Sequence, residues 1–219
     1  MNSVNTLINT LDDDLALRVT SRRDLFFNAR ARFGAIATAP VIFAAVVSDA
    51  FGGTLPAKVA DVLNFALTLE YLEDEFYRTA LSHDGLVRSE FVPVFTQISR
   101  HESAHVKTLS GALGSAAVAK PKFDLTAGGK YHDVFTNFDT FTAVSQTFED
   151  TGVAAYKGQA PALAGGGALL TVALQIHSVE ARHAAEVRRI RGKKSWDGAF
   201  DKPMTKAQVL AAVKPFIVG

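Results

Sequence analysis

The chain is 219 residues long, carries 23 Lys and Arg against 22 Asp and Glu for a net charge of +1, and contains no cysteine. Near-neutral charge supplies no long-range field for nucleic acid, and the absence of thiols excludes disulfides, iron–sulfur clusters and cysteine-based zinc sites. With 48% apolar residues, a chain of this length can bury a sizeable core, in one domain with an appendage.

Residues 1–20 are polar and include the acidic run Asp12-Asp13-Asp14. Ser21-Arg22-Arg23-Asp24-Leu25-Phe26 resembles a twin-arginine export signal. A mostly apolar run follows from Phe33 to Val47, then Ser48-Asp49-Ala50. Basic, then apolar, then small is the order that export requires. The expectation is a twin-arginine signal peptide over residues 1–50, cleaved after Ala50, with the mature protein in a bacterial periplasm. The apolar run is shorter than the ~20 residues that span a bilayer, and Pro40 interrupts it. Membrane contact is expected only if residues 25–50 are retained. The alternatives to export are a membrane-tethered protein and a cytoplasmic one that keeps this segment.

Gly52-Gly53-Thr54 breaks the chain, with Thr54 able to cap a helix and Pro56 in its first turn. The first helix is predicted from about Pro56 to Ser82. Val59, Val62, Leu63, Ala66, Leu67, Glu70, Tyr71 and Asp74 follow the three- and four-residue spacing of one face. Glu70 interrupts that apolar stripe, so a carboxylate points inward. Glu73, one turn on, competes for the same role. Asp84-Gly85 closes the helix. The second helix is predicted from about Arg88 to Leu113, with Pro93 in its first turns, where a missing N–H is tolerated. Val94, Ile98, Glu102, His105 and Leu109 lie on one stripe, and Gly111 and Gly114 end it.

Residues 114–138 form a connector rich in Gly, Lys and Pro. Such length is unusual between antiparallel neighbours and suits a crossover between parallel helices at opposite ends of a bundle. A third helix starts near Asp139 or Thr140 as cap and runs to about Leu163. Phe141, Val144, Phe148 and Glu149 take its inward or boundary positions, and Gly152 is a weak spot within it. After the turn Gly165-Gly166-Gly167, a fourth helix runs from about Ala168 to Arg191. Leu169, Val172, Ile176, Val179, Glu180 and His183 share its inner side, and its basic end, Arg188 to Lys194, offsets the helix dipole. The tail, residues 196–219, carries Trp196, Phe200 and a short helix near Thr205 to Val213, placed along the outside of the bundle or at a subunit contact.

One short pattern occurs twice in this order: Glu102-Ser103-Ala104-His105 and Glu180-Ala181-Arg182-His183. Positions i and i+3 are neighbours on a helix, so each copy presents a carboxylate and an imidazole together, a ligand pair for a first-row metal. Upstream, Glu70 and Glu149 each have Thr two residues before and Tyr seven after. The displacements agree, at 79 residues (149 − 70) and 78 (180 − 102). A two-helix unit, Glu and then Glu-x-x-His, has been duplicated.

On these residues the chain resembles the ferritin-like superfamily of di-metal carboxylate proteins, over about residues 55–192. It looks most similar to the group that includes bacterial exported and plant desiccation-related proteins, with rubrerythrin-type sites as relatives. The resemblance implies an all-α, ferritin-like four-helix bundle over residues 51–195, with a long crossover between the second and third helices and a short C-terminal helix. It implies Glu70, Glu102, His105, Glu149, Glu180 and His183 as ligands of two Fe or Mn ions, a mixed pair included. Classical ferritin cage subunits typically lack the second Glu-x-x-His, which argues against an iron-storage shell.

The function that follows is an oxidoreductase acting on O₂, peroxide or Fe(II), ferroxidase, peroxidase or catalase-like. The alternative is a structural or stress-protective, self-assembling protein with a non-catalytic or vestigial metal site. A homo-oligomer is expected, and no nucleic-acid partner. Tyr77 and Tyr156, two turns beyond Glu70 and Glu149, are open between core packing and a role at the site, as hydrogen-bond donors or electron relays. His101 lies beside the ligands, and His177 is open between a supporting and a core role.

Overall fold

The computed structural model describes residues 55–164 and 167–218. The stretch read as an export signal, the Thr54 cap and Gly165-Gly166 lie outside the described residues. Four long helices carry the fold: α1 (Ala57–Leu81), α2 (Val92–Leu113), α3 (Phe138–Gln159) and α4 (Ala168–Ile190). A short α5 (Lys206–Val213) follows in the tail. Among the described residues no helix is long and apolar enough to cross a membrane.

Named contacts give the helix directions. Along the α1–α2 seam, Asn64 donates to the Ala116 carbonyl, Ser103 donates to Asp74, and Tyr77 stacks on Phe95. Numbers fall on one helix as they rise on the other, so the pair is antiparallel. The same holds for α1 and α3, where Glu70 meets Tyr156 and Tyr77 meets Glu149. It holds again for α3 and α4, where Arg188 meets Asp150 and Arg191 meets Gln146. With α1 antiparallel to both, α2 and α3 run parallel. The link between them must therefore travel the length of a 22-residue helix, about 33 Å at 1.5 Å per residue. Residues 114–137 make that journey, as the long connector implied.

Several boundaries differ from expectation, each for a local reason. The cap of α3 is Asn137, whose side chain accepts from the N–H groups of Asp139 and Thr140. Asn, Asp and Thr are all good caps, and only the extended backbone at Asn137 selects among them. The α-helix ends at Gln159 and tightens to a 3₁₀ turn over Ala160–Leu163, where Pro161 lacks the N–H that an α-turn would use. Gly111 stays inside α2, and the chain leaves the helix at Gly114, whose φ of +54° suits glycine. Ser89–Phe91 form a 3₁₀ turn ahead of α2.

The core divides into two apolar clusters. Val62, Leu63, Leu67, Leu109, Leu113, Leu169 and Ile176 fill one end of the bundle. Phe76, Phe95, Phe141, Phe148 and Val187 fill the other, joined by Val209, Val213 and Phe216 of the tail. A layer of buried carboxylates lies between the two along the helices.

The tail is tied down by three devices. Thr205 and Gln208 form a reciprocal capping box at the start of α5. Ile217–Val218 (β2) pair antiparallel with Lys122–Phe123 (β1) of the crossover, a two-residue ladder that sequence pattern alone does not announce. Phe216 meets the ring of Phe148 edge-on at 4.7 Å. By contrast Trp196 and Phe200 are 71% and 89% exposed. The Met204 N–H donates to the Ala154 carbonyl at 3.0 Å, and a Cβ on Gly158 would stand 1.9 Å from the Met204 carbonyl oxygen. Gly158→Ala is therefore expected to lift the tail and cost about 1–3 kcal/mol in urea unfolding, with faster proteolysis between residues 195 and 204. Gly198→Ala, whose Cβ meets nothing within 4 Å, should stay within about 0.5 kcal/mol of the parent.

Candidate metal centre

Glu70 projects from α1, Glu102 and His105 from α2, Glu149 from α3, and Glu180 and His183 from α4. All four carboxylates are fully buried, and the two histidines nearly so. The helical i, i+3 spacing brings each Glu and His of the doubled motif onto one face, and the bundle turns the four faces toward one another. All six residues singled out from the sequence meet in mid-bundle.

His105 Nδ1 lies 3.1 Å from oxygens of Glu70, Glu102 and Glu180. His183 Nδ1 lies 3.0 Å from Glu102, 3.3 Å from Glu149 and 3.9 Å from Glu180. Two overlapping groups result. Glu70, Glu102, His105 and Glu180 bring donor atoms within 4.8 Å of one another, and so do Glu102, Glu149, Glu180 and His183. Glu102 and Glu180 belong to both.

Hydrogen bonding does not account for this packing. One imidazole nitrogen faces three carboxylates and can donate at most one proton. Glu102 Oε1, Glu149 Oε2, both oxygens of Glu180 and His183 Nδ1 are buried without a hydrogen-bond partner. Several of these atoms are nevertheless within ion-pair distance, because their approach lies outside the directions a hydrogen bond needs. Donor atoms gathered this closely without protons to share could hold a metal ion. Oxygen-rich donors with one imidazole per group suit first-row divalent metals of the iron and manganese kind.

The electrostatics agree. Burial, opposed by His105, pushes the Glu70 carboxyl up to about 7. Burial and neighbouring carboxylates push Glu73 and Glu180 well above the ordinary value, and burial raises Glu149 despite His183. Glu102 goes the other way: burial opposes its charge, yet the close imidazoles of His105 and His183 hold it well below the usual range. Burial likewise opposes charge on the histidines, but the surrounding carboxylates raise His183 to about 11 and His105 higher still. Without a cation, protons perform the neutralisation.

Two tyrosines brace the centre crosswise. Tyr77 of α1 donates to Glu149 of α3, and Tyr156 of α3 donates to Glu70 of α1. Both rings are buried, so the residues left open between core and site do both. His101 is the supporting residue that the pattern did not reveal. Its Nδ1 is 2.8 Å from His183 Nε2, its Nε2 is 2.5 Å from Gln97, and its ring stacks on His183 at 5.1 Å. Its counterpart across the 78-residue displacement is Val179, so the duplication carries no trace of it. The four-residue step to His105 was the one available signal. His177 stands apart from both groups, half-buried, with Nε2 unpartnered, and is not the satisfied core histidine that one reading offered.

Residues 58–193 match the family model described as ferritin-like domain. The chain belongs to the ferritin-like domain family. No curated protein matches it. In ferritin-like di-metal bundles one Glu from each of two helices meets Glu-x-x-His from each of the other two, and this chain supplies that set.

For this ferritin-like protein the sign of the pH dependence follows from the shifts. Carboxyls raised in the fold contribute stability that is present below their unfolded value and lost as pH rises, through about 7 for Glu70. The raised histidines act in the same direction, from about 6.5 to about 11 for His183. The lowered groups, Glu102, Asp124, Glu186, His101 and His177, oppose, each losing its contribution as pH falls below its unfolded value. Metal-free protein should therefore lose thermal stability steadily from about pH 5 to pH 9, and divalent iron or manganese should restore it most at the alkaline end, with protons released on binding. Tyr77→Phe should weaken metal binding about 10–100-fold in chelator competition while leaving the helical circular dichroism unchanged.

Proposed function

We propose that the protein holds two iron or manganese ions in mid-bundle and acts as an oxidoreductase on O₂ or peroxide, or on Fe(II) as substrate. The observation that carries this reading is the sharing of Glu102 and Glu180 between the two donor groups. Glu70 and His105 would complete one ion's set, and Glu149 and His183 the other's. Bridged pairs of such ions, when bound, supply two-electron redox chemistry and Lewis acidity.

The protein's own part is positional. Tyr77 and Tyr156 hold Glu149 and Glu70 in place, and His101 holds His183. The two apolar clusters on either side exclude water from the carboxylate layer and strengthen its attraction for cations. Export by the twin-arginine route and assembly into a homo-oligomer belong to the same proposal. Ser21–Phe26 with the apolar run behind it supports the first, and exposed Trp196 and Phe200 support the second.

Protein produced with iron or manganese should carry two ions per chain. Glu102→Ala and His183→Ala should each lose at least one, by elemental analysis. The loaded protein should consume O₂ with Fe(II) or decompose peroxide, and the variants should not. Absence of bound metal under both supplies would sink the two-ion centre. Full loading without turnover would instead leave a structural site and overturn the redox role.

A further inference from the structure

Half of the centre is backed by a hydrogen-bonded chain and the other half is not. The outer nitrogen of His183, Nε2, lies 2.8 Å from Nδ1 of His101, and Nε2 of His101 lies 2.5 Å from the side-chain amide of Gln97. The rings of His101 and His183 stack within 14° of parallel. By contrast, the hydrogen bonds of His105 among the described residues all run from Nδ1 into the centre. The internal duplication shows why. His101 of α2 backs the histidine of α4, so the residue of α4 placed to back His105 is Val179 (101 + 78). Valine has no group to offer a ring nitrogen.

The backing matters through the ring's proton. A neutral imidazole carries one proton between its two nitrogens. His183 can turn an Nδ1 lone pair on a cation only while that proton sits on Nε2, and an acceptor there fixes both tautomer and ring orientation. His101 Nδ1 is that acceptor once the amide oxygen of Gln97 takes the proton of His101 Nε2. Gln97 is exposed, so its amide is free to present either end.

The donors differ in a second, independent way. His105 Nδ1 is hydrogen-bonded to Glu70 Oε2 and Glu102 Oε2, each at 3.1 Å, and Tyr156 donates to the other oxygen of Glu70. On the opposite side His183 Nδ1, Glu149 Oε2 and Glu102 Oε1 are buried without a hydrogen-bond partner. An ion entering beside His105 must break bonds that the fold has made. One entering beside His183 meets atoms with none to lose and relieves the cost of leaving them bare.

On the basis of the two-ion centre proposed above, we infer that its two positions are unequal: the one at Glu149 and His183 fills first and holds its ion more tightly, with His101 as the positioning residue. The half-loaded protein is then a defined species, open on the Glu70 and His105 side.

Diffraction from wild-type protein loaded with one Mn(II) per chain should place the anomalous signal beside His183. Signal beside His105, or shared equally, overturns the inference and leaves the two-ion centre intact. In chelator competition the wild type should show two Mn(II) affinities at least about tenfold apart. His101→Val copies Val179 and should weaken the tighter one by about tenfold or more, bringing the two together. His101→Asn keeps an acceptor near the position of Nδ1 and should restore much of the gap. Equal loss in both variants marks a packing role, and unchanged affinities in His101→Val mark a bystander. Either result overturns the assignment of His101. Should His101→Val fail to fold, the asparagine variant and the wild-type diffraction still decide. A wild-type protein that takes up neither manganese nor iron overturns the two-ion centre and this inference with it.

Discussion

Carboxylates buried among themselves dominate the physics of this bundle. Charge in a low-dielectric interior costs several kcal/mol per ion after relaxation, and four helices each contribute at least one acid to the same layer. The chain has two ways to neutralise the layer. Protons can do so, which is why Glu70, Glu73, Glu149 and Glu180 are all raised and why both site histidines favour their charged form. Cations could do so as well, and Glu102, Glu149, Glu180 and His183 have unpartnered atoms to offer them. Competition between the two would tie metal affinity, pH and fold stability together.

Duplication supplies the symmetry of the site, and departures from it supply the detail. Crossed hydrogen bonds from Tyr77 and Tyr156 couple the two halves, because each tyrosine braces the carboxylate of the other. They also fix the register of α1 against α3, since a slip of one residue would turn both hydroxyls away. His101 and Glu73 have no counterpart, as Val179 and Gly152 stand in their places. The two histidines of the site consequently differ in support. His183 rests on His101 and Gln97, whereas the contacts of His105 are to the central carboxylates.

Around this layer the scaffold closes on itself. Parallel α2 and α3 demand a long crossover, which must be fastened to the bundle along its length. The C-terminal segment answers this by pairing β2 with β1 and by placing Phe216 against both Tyr131 of the crossover and Phe148 of α3. Gly158 permits the approach of the tail backbone at Met204. The appendage thus clamps the crossover to the helix that carries Glu149.

By itself the sequence determined the helical hairpins, their duplication and the six candidate donors, because these are written in local spacing. A Glu and a His three apart must share a helix face, and a connector of some two dozen residues must cross a bundle. Tertiary structure decided what local spacing does not encode. Whether Tyr77 merely packs or also bonds depends on Glu149 of α3, and the room beside Glu180 depends on Gly152 of the same helix. His101 acquires its partner from another helix, and two strand residues at the C-terminus acquire theirs from the crossover. In each case one residue's role is set by an atom supplied from a distant part of the chain, and periodicity along a helix reports only which way a side chain points, not what meets it there.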